Sequence, residues 1–561
     1  MGEVGNYDET ALIKAFKRLS QGSKQSVQCG LELDDFDEYM HVDRPIDKAV
    51  RKAMDSIRLN GGGILLLVGS AGDGKSHMIS TLKKDYTDFE FRNDASESPW
   101  RTVSSIDALK IFLTDFKDIT LHSTKTKMLV AINMGKLSAF VDDPDVQTEF
   151  KEITECAKTL FDEDNLRHKE TEYVKIVSFA NHQIFEIFPE QKDVLYPVDS
   201  HFIKTVLRKI TNKAYNNLFY TAFNNSIPLG TDFDPCYVNY QFLCIPEIQD
   251  AIVKFIIEAI IRFKLTLTPR ELFDFIYRII VPENFTTFNP SKDFFKSLLP
   301  NILFAGGDNK ILRCLAKLDP LKHGNIKHND YLSELFTSIS LPKEDCFNTL
   351  NGKIHSSFYM IIDEYFKNNR NNIEDISKLL FHIKHLMEYH SESEEYRAFL
   401  QILCGYYAND EERLYPLYET IQNSIPHFYG SYTDKTNIVP LNIQGREYKL
   451  FASCDNLKAI PAETVPFDTN NRNKFVVEID TLWKITTPIF LKVEFQLYES
   501  LCKIQRGKLA QTDDRNRNLS FSEFINNLVK QTDFKDKIII ITSDNHQLVL
   551  SKTFGKKITL Q

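Results

Sequence analysis

Residues 69–76 read Gly-Ser-Ala-Gly-Asp-Gly-Lys-Ser and fit the pattern GxxxxGKS at every fixed position. They are preceded by an apolar run of strand type, Ile64 to Val68, and followed by a helical stretch from His77 to Lys84. Strand, glycine-rich turn and helix start form the context in which this pattern binds phosphate. Gly69, Gly72 and Gly74 let backbone N–H groups converge on an anion, with Ser70, Ala71 and Asp73 as the variable positions between them. The helix N-terminus adds its partial positive charge. Lys75 has the length to reach β- and γ-phosphates, the Ser76 hydroxyl suits Mg²⁺, and His77 opens the helix beside them. This segment predicts an α/β P-loop NTPase core, built on a mainly parallel sheet, that takes ATP and Mg²⁺ as cofactors.

A chain of 561 residues is too long for one core, so several domains are expected. With 42% hydrophobic and 26% charged residues it reads as an ordinary globular protein. No apolar run reaches the roughly 18 residues of a membrane helix. The longest, Ala251 to Phe263, is broken by Lys254, Glu258 and Arg262, so no membrane partner is expected. The N-terminus lacks the basic start and apolar segment of a secretory signal, and Asn6 stands where an acylation signal has Ser or Thr. Nine scattered cysteines without a CxxC pair suit a reducing cytoplasm. The net charge of −9 argues against a general nucleic-acid binder. Residues 430–561 nevertheless carry 19 Lys+Arg against 15 Asp+Glu. That leaves two readings of the C-terminal part, a local basic surface able to meet DNA or ordinary solvated lysines.

The pattern along the chain divides it into five parts. A polar leader covers 1–38. The P-loop core spans 39–235, with strands expected at 88–92, 128–132 and 174–179 and helices near 105–116 and 143–162 between them. A helical lid follows over 236–300 and an aromatic-rich helical region over 301–429. After Gly430 the texture changes to alternating strands at 437–451, 474–479, 537–542, 547–551 and 557–560, interrupted by a helix near 521–530. That defines a C-terminal α+β domain over 430–561.

Hydrolysis needs a carboxylate for Mg²⁺ and a group that orients water, usually at strand ends beside the loop. Asp94 ends the first strand after the loop helix and is assigned to the metal; Glu97 is the candidate water activator. Both would serve equally as helix caps. Asn133 ends the strand Leu129 to Ile132 and resembles the γ-phosphate sensor of AAA+ ATPases, or else is a turn residue before Gly135. Thr268-Pro269-Arg270 opens a helix that looks like the AAA+ lid, with Arg270 as second sensor or as an ordinary first-turn arginine. Val42, Arg44 and Pro45 lie about 25 residues before the loop and resemble the adenine-side segment of that class. The GTPase pattern NKxD is absent. His382, His385 and His390 lack the spacing of a zinc helix, and Glu478, Asp480, Lys492 and Glu494 lack the carboxylate-x-Lys order of a nuclease centre.

Several segments in order resemble the DptF family of DNA phosphorothioation-dependent restriction proteins. They are 69–77, Phe91-Arg-Asn-Asp-Ala-Ser-Glu-Ser98, Leu129-Val-Ala-Ile-Asn-Met-Gly135, Thr268 to Phe275, Leu497 to Ile504 and Phe521 to Ile525. The resemblance spans most of the chain. It implies an ATPase of a bacterial antiviral defence system that attacks DNA lacking a backbone sulfur mark. DptG- and DptH-like subunits would be its partners, DNA would be met directly through 430–561 or through them, and several copies would assemble if the engine is oligomeric. The alternative is a nucleotide-gated signalling or scaffold ATPase of AAA+ or STAND type, with little turnover and no direct DNA role. A kinase would need an acceptor motif, and none is present.

Overall fold

The computed structural model describes residues 10–20, 35–70, 72–93, 104–161, 170–191, 194–226, 234–283, 293–322, 326–337, 350, 352–368, 373–391, 393–429, 437–444, 448–461, 477–508, 517–532, 535, 537–542, 546–553 and 557–560. The chain separates into two compact units, 1–186 with 199–392 and 187–198 with 393–561.

The first unit is built on four parallel strands, β1 (Gly63–Val68), β2 (Glu90–Arg92), β3 (Lys127–Ile132) and β4 (Val174–Ser178), in the order β2-β3-β1-β4. β1 is buried at all six positions, which is why its sequence is an unbroken apolar run rather than an alternating one. Helices cover both sheet faces. Leu65, Leu67, Leu129 and Ala131 point to one face and meet α1 (Pro45–Asn60) and α2 (Lys75–Asp85) through Val50, Met54, Ile79 and Leu82. Ile64, Leu66, Val130 and Ile132 point to the other. There they meet α3 (Ser105–Phe112), α4 (Met134–Val141) and α5 (Lys151–Lys158) through Leu109, Leu137, Phe140 and Ile153. Each buried Leu or Ile contributes about 1.5–3 kcal/mol. This is an α/β core. Among the described residues the rest of the unit is mainly helical, including Pro246–Phe263 and α6 (Pro269–Ile280), whose Leu272, Phe275, Ile276 and Ile279 are buried. Among the described residues no helix is long and apolar enough to cross a membrane.

The main segment of the second unit begins at 393, ahead of the change in sequence texture at 430. Helices α7 (Glu394–Ala408) and α8 (Glu411–Ser424) pack with α9 (Phe495–Gln505), where Phe399 meets the Phe495 and Tyr498 rings at 5.5 Å. Its strands are β5 (Ile438–Gln444), β6 (Tyr448–Ser453), β7 (Lys458–Ile460), β8 (Ile479–Lys484), β9 (Pro488–Val493), β10 (Lys537–Thr542), β11 (Gln547–Thr553) and β12 (Lys557–Leu560). They form two antiparallel sheets, β9-β8-β7 and β12-β11-β10-β6-β5. Helix α10 (Leu519–Lys530) buries Phe521, Phe524, Ile525 and Leu528 in the same unit.

Candidate functional site

β1 and β3 are neighbours, yet the chain leaves them onto opposite sheet faces, β1 into α2 and β3 into α4. Such a divergence opens a crevice at the carboxyl ends of the two strands, where open α/β sheets bind ligands. The glycine-rich loop lies there. Its first N–H, from Gly69, donates to the carbonyl of Ile132 at the end of β3 at 3.1 Å. The backbone at Gly72 and Gly74 has φ of +90° and +84°, a region open to glycine at little cost. Gly74 is the N-cap of α2 and supplies no side-chain cap. The first helical bond runs from the Met78 N–H to the Gly74 carbonyl at 3.0 Å, so the opening turn of α2 presents backbone donors to an anion.

The side chains of the loop hold it in shape. Lys75 Nζ donates to the carbonyls of Gly69 and Ser70 at 2.9 and 2.7 Å, folded back over the turn an anion would enter. The Asp73 carboxylate accepts the Ser70 N–H. Burial lifts the Asp73 carboxyl above its ordinary range, against the Ser70 amide and the Lys75 and Arg44 charges. Ser76 is half-buried, and its hydroxyl makes no hydrogen bond among the described residues. The uncapped helix start, the two left-handed glycines and this hydroxyl fit a magnesium–nucleotide phosphate chain.

Arg44, only 7% exposed, braces the loop from outside. Its guanidinium donates to the Asp73 carbonyl at 2.6 Å, pairs with Asp47 at 3.4 Å and lies 5.2 Å from the Phe179 ring centroid. Val42 and Pro45 are half-buried on either side of it, Pro45 as the first residue of α1. Asn133 caps α4, its Oδ1 accepting the Lys136 N–H at 2.8 Å. Thr268 caps α6 in a reciprocal box with Glu271. The same residue meets the loop: a methyl group added to Gly72 would lie 3.5 Å from the Thr268 hydroxyl. Arg270 follows two residues on, half-buried in the first turn of α6. Ala71, Asp94 and Glu97 lie outside the described residues.

Three contacts were not anticipated by sequence reasoning. His41 Nδ1 and His77 Nε2 share a hydrogen bond at 2.8 Å, and His41 Nε2 lies 3.3 Å from Asp43. Burial, with the nearby His41 and Arg44, pulls the His77 pKa down to about 4. Phe179, just past β4, and Thr268 complete the surroundings of the loop. The histidine of the segment at 39–45 and the Thr-Pro start of α6 were the only signals available. No protein-family model, curated protein or solved structure matches the chain.

Proposed function

We propose that the chain binds Mg·ATP on residues 69–77 and hydrolyses it as a P-loop, AAA+-like subunit of a phosphorothioation-dependent DNA restriction system. The observation that carries the nucleotide reading is the placement of an uncapped helix start, with two left-handed glycines before it, in the crevice between β1 and β3. The defence-system reading rests on the resemblance of the ordered segments to the DptF family.

Bound Mg·ATP would supply the phosphoanhydride bond whose cleavage releases free energy. In this reading the α2 N-terminus and Lys75 hold the phosphates, and Ser76, with Asp94, holds the metal ion. Arg44 and Asp73 keep the loop open. Asn133 and Arg270 approach from the end of β3 and the start of α6, and Glu97 positions water. Residues 430–561 and DptG- and DptH-like partners would carry the result to unmodified DNA.

The test is ATP turnover by the purified chain beside Lys75→Ala and Glu97→Gln, with and without unmodified DNA and the partner subunits. Turnover that Lys75→Ala abolishes supports the ATPase. Glu97→Gln should retain nucleotide binding and lose turnover. Tight binding without hydrolysis under every condition would reject the engine in favour of a nucleotide-gated scaffold.

A further inference from the structure

The five-stranded sheet of the second unit carries aliphatic side chains on both faces. One of those faces is left open from β12 to the 448–450 part of β6, closing only beside β5 where Val439 and Ala452 are buried. Directly opposed residues of antiparallel strands share a face. The registers Ile538↔Leu550, Ile540↔Leu548, Ile540↔Leu450 and Leu550↔Leu560 therefore collect six aliphatic side chains on one face. Tyr448 and Ile558 extend it, opposite Thr542 and Lys552. Ile558, Leu560 and Tyr448 are 70%, 61% and 48% exposed, and the other five are partly exposed.

The reverse face behaves differently. Ile539 and Ile541 are buried there with Ile438 and Phe451. Farther out, β11 and β12 give that face Gln547, Val549, Ser551 and Thr559, with Val549 opposite Ile539. The outer strands thus show mainly polar residues where the core continues and mainly aliphatic ones where it does not, the opposite of a sheet with one wet face. β10 has isoleucine at four successive positions, the composition of a strand covered on both sides. The two edges also differ. β5 carries Pro440 and a register shift, both devices that block further pairing, whereas β12 presents Ile558 and Leu560.

We propose that a second copy of this chain covers this face, two such sheets packing about a dyad as a sandwich. Among the described residues the face carries a single charge, Lys552 at its rim, so it does not suit phosphate or an acidic partner. Four strands at ~4.8 Å spacing and three alternate positions ~7 Å apart give a footprint of roughly 300 Å² in projection. Allowing for corrugation, about 600 Å² of accessible surface per copy would be buried, near the lower end for a specific dimer. A flat aliphatic face is complementary to its own image, as a dyad requires, and sheets close this way at about 10 Å separation.

Sedimentation equilibrium of the full chain, from nanomolar to tens of micromolar, tests the proposal. A dimer of the 65.0 kDa chain is expected. The double variant Ile558→Glu, Leu560→Glu, at exposed edge positions, should weaken it at least tenfold while circular dichroism stays native. Ile540→Thr, which keeps a β-branched residue in the strand, should weaken it as well. Ile119→Glu, 94% exposed in the first unit, should leave it unchanged. A wild-type chain that stays monomeric throughout, or a dimer as tight in the double variant and in Ile540→Thr, would overturn the proposal.

Discussion

At the scale of single residues, His77 follows the last fixed position of the loop and shares one proton with His41 across 2.8 Å. A hydrogen bond between two imidazoles requires one of them to be neutral, and the lowered pKa makes His77 the one that resists protonation. The unfolded chain therefore binds a proton that the folded chain refuses between the ordinary histidine pKa and about 4. Stability that is full at neutral pH should fall as pH drops through that window, by roughly 2–3 kcal/mol at its acid end. Urea midpoints measured from pH 7 downward should show this slope, and His77→Gln should flatten it. Arg44 was read from sequence as a nucleotide contact, but its guanidinium is occupied by Asp47, Phe179 and the Asp73 carbonyl. Arg44→Lys loses the planar fork that makes those contacts together, so nucleotide affinity should fall about tenfold with little change in melting temperature. Gly74→Ala forces a left-handed alanine at a cost of about 1–2 kcal/mol. It also places a methyl group 3.4 Å from Arg44 Nη2. Both thermal stability and binding of a fluorescent ATP analogue should drop in that variant.

At the scale of elements, the strand ends separate structural from chemical roles. Asn133 has a demonstrable structural task as the cap of α4, and the proposed chemical task rests on its remaining amide group. Asp is as good a cap as Asn, whereas Ala is not. Asn133→Asp should keep the melting temperature and lose ATP turnover. Asn133→Ala should lose turnover and about 1 kcal/mol of stability as well. If both variants turn over ATP normally, Asn133 is a cap alone. The two inner strands were legible because a parallel strand buried on both faces must be apolar throughout: β1 and β3 lie where the apolar runs are, while β4, at one sheet edge, keeps a shorter run interrupted by Lys175. β2 sits at the sheet edge and is exposed at two of its three positions, which is why its run was polar. Helix α4 was missed since Asn133-Met134-Gly135 reads as a turn. β9 and α9 were missed because Glu494 alone separates them, leaving no turn signal.

At the scale of the whole molecule, the boundary of the second unit rests on packing. Tyr406 of α7 donates to Asp480 at 3.0 Å, and the Ser424 hydroxyl at the end of α8 donates to the Leu501 carbonyl of α9 at 3.3 Å. A fragment beginning at 430 strips α7 and α8 from Phe495 and Tyr498 and should be insoluble or lack near-ultraviolet circular dichroism. One that spans 393–561 and is supplied with 187–198 should give a folded signal. The helical texture of 301–429 hid this division, because α7 and α8 read like the helices before them although they pack with strands that come later. Sequence alone determined the loop, its strand and helix, and the apolar stripes of each element, since neighbours within a few residues dictate helix period, strand burial and turn chemistry. Tertiary structure alone decided the order β2-β3-β1-β4, the approach of Arg44, His41 and Thr268 to one loop, and which sheet face stays open. Those depend on contacts between segments tens to hundreds of residues apart, and no local pattern encodes which of many compatible apolar surfaces will meet.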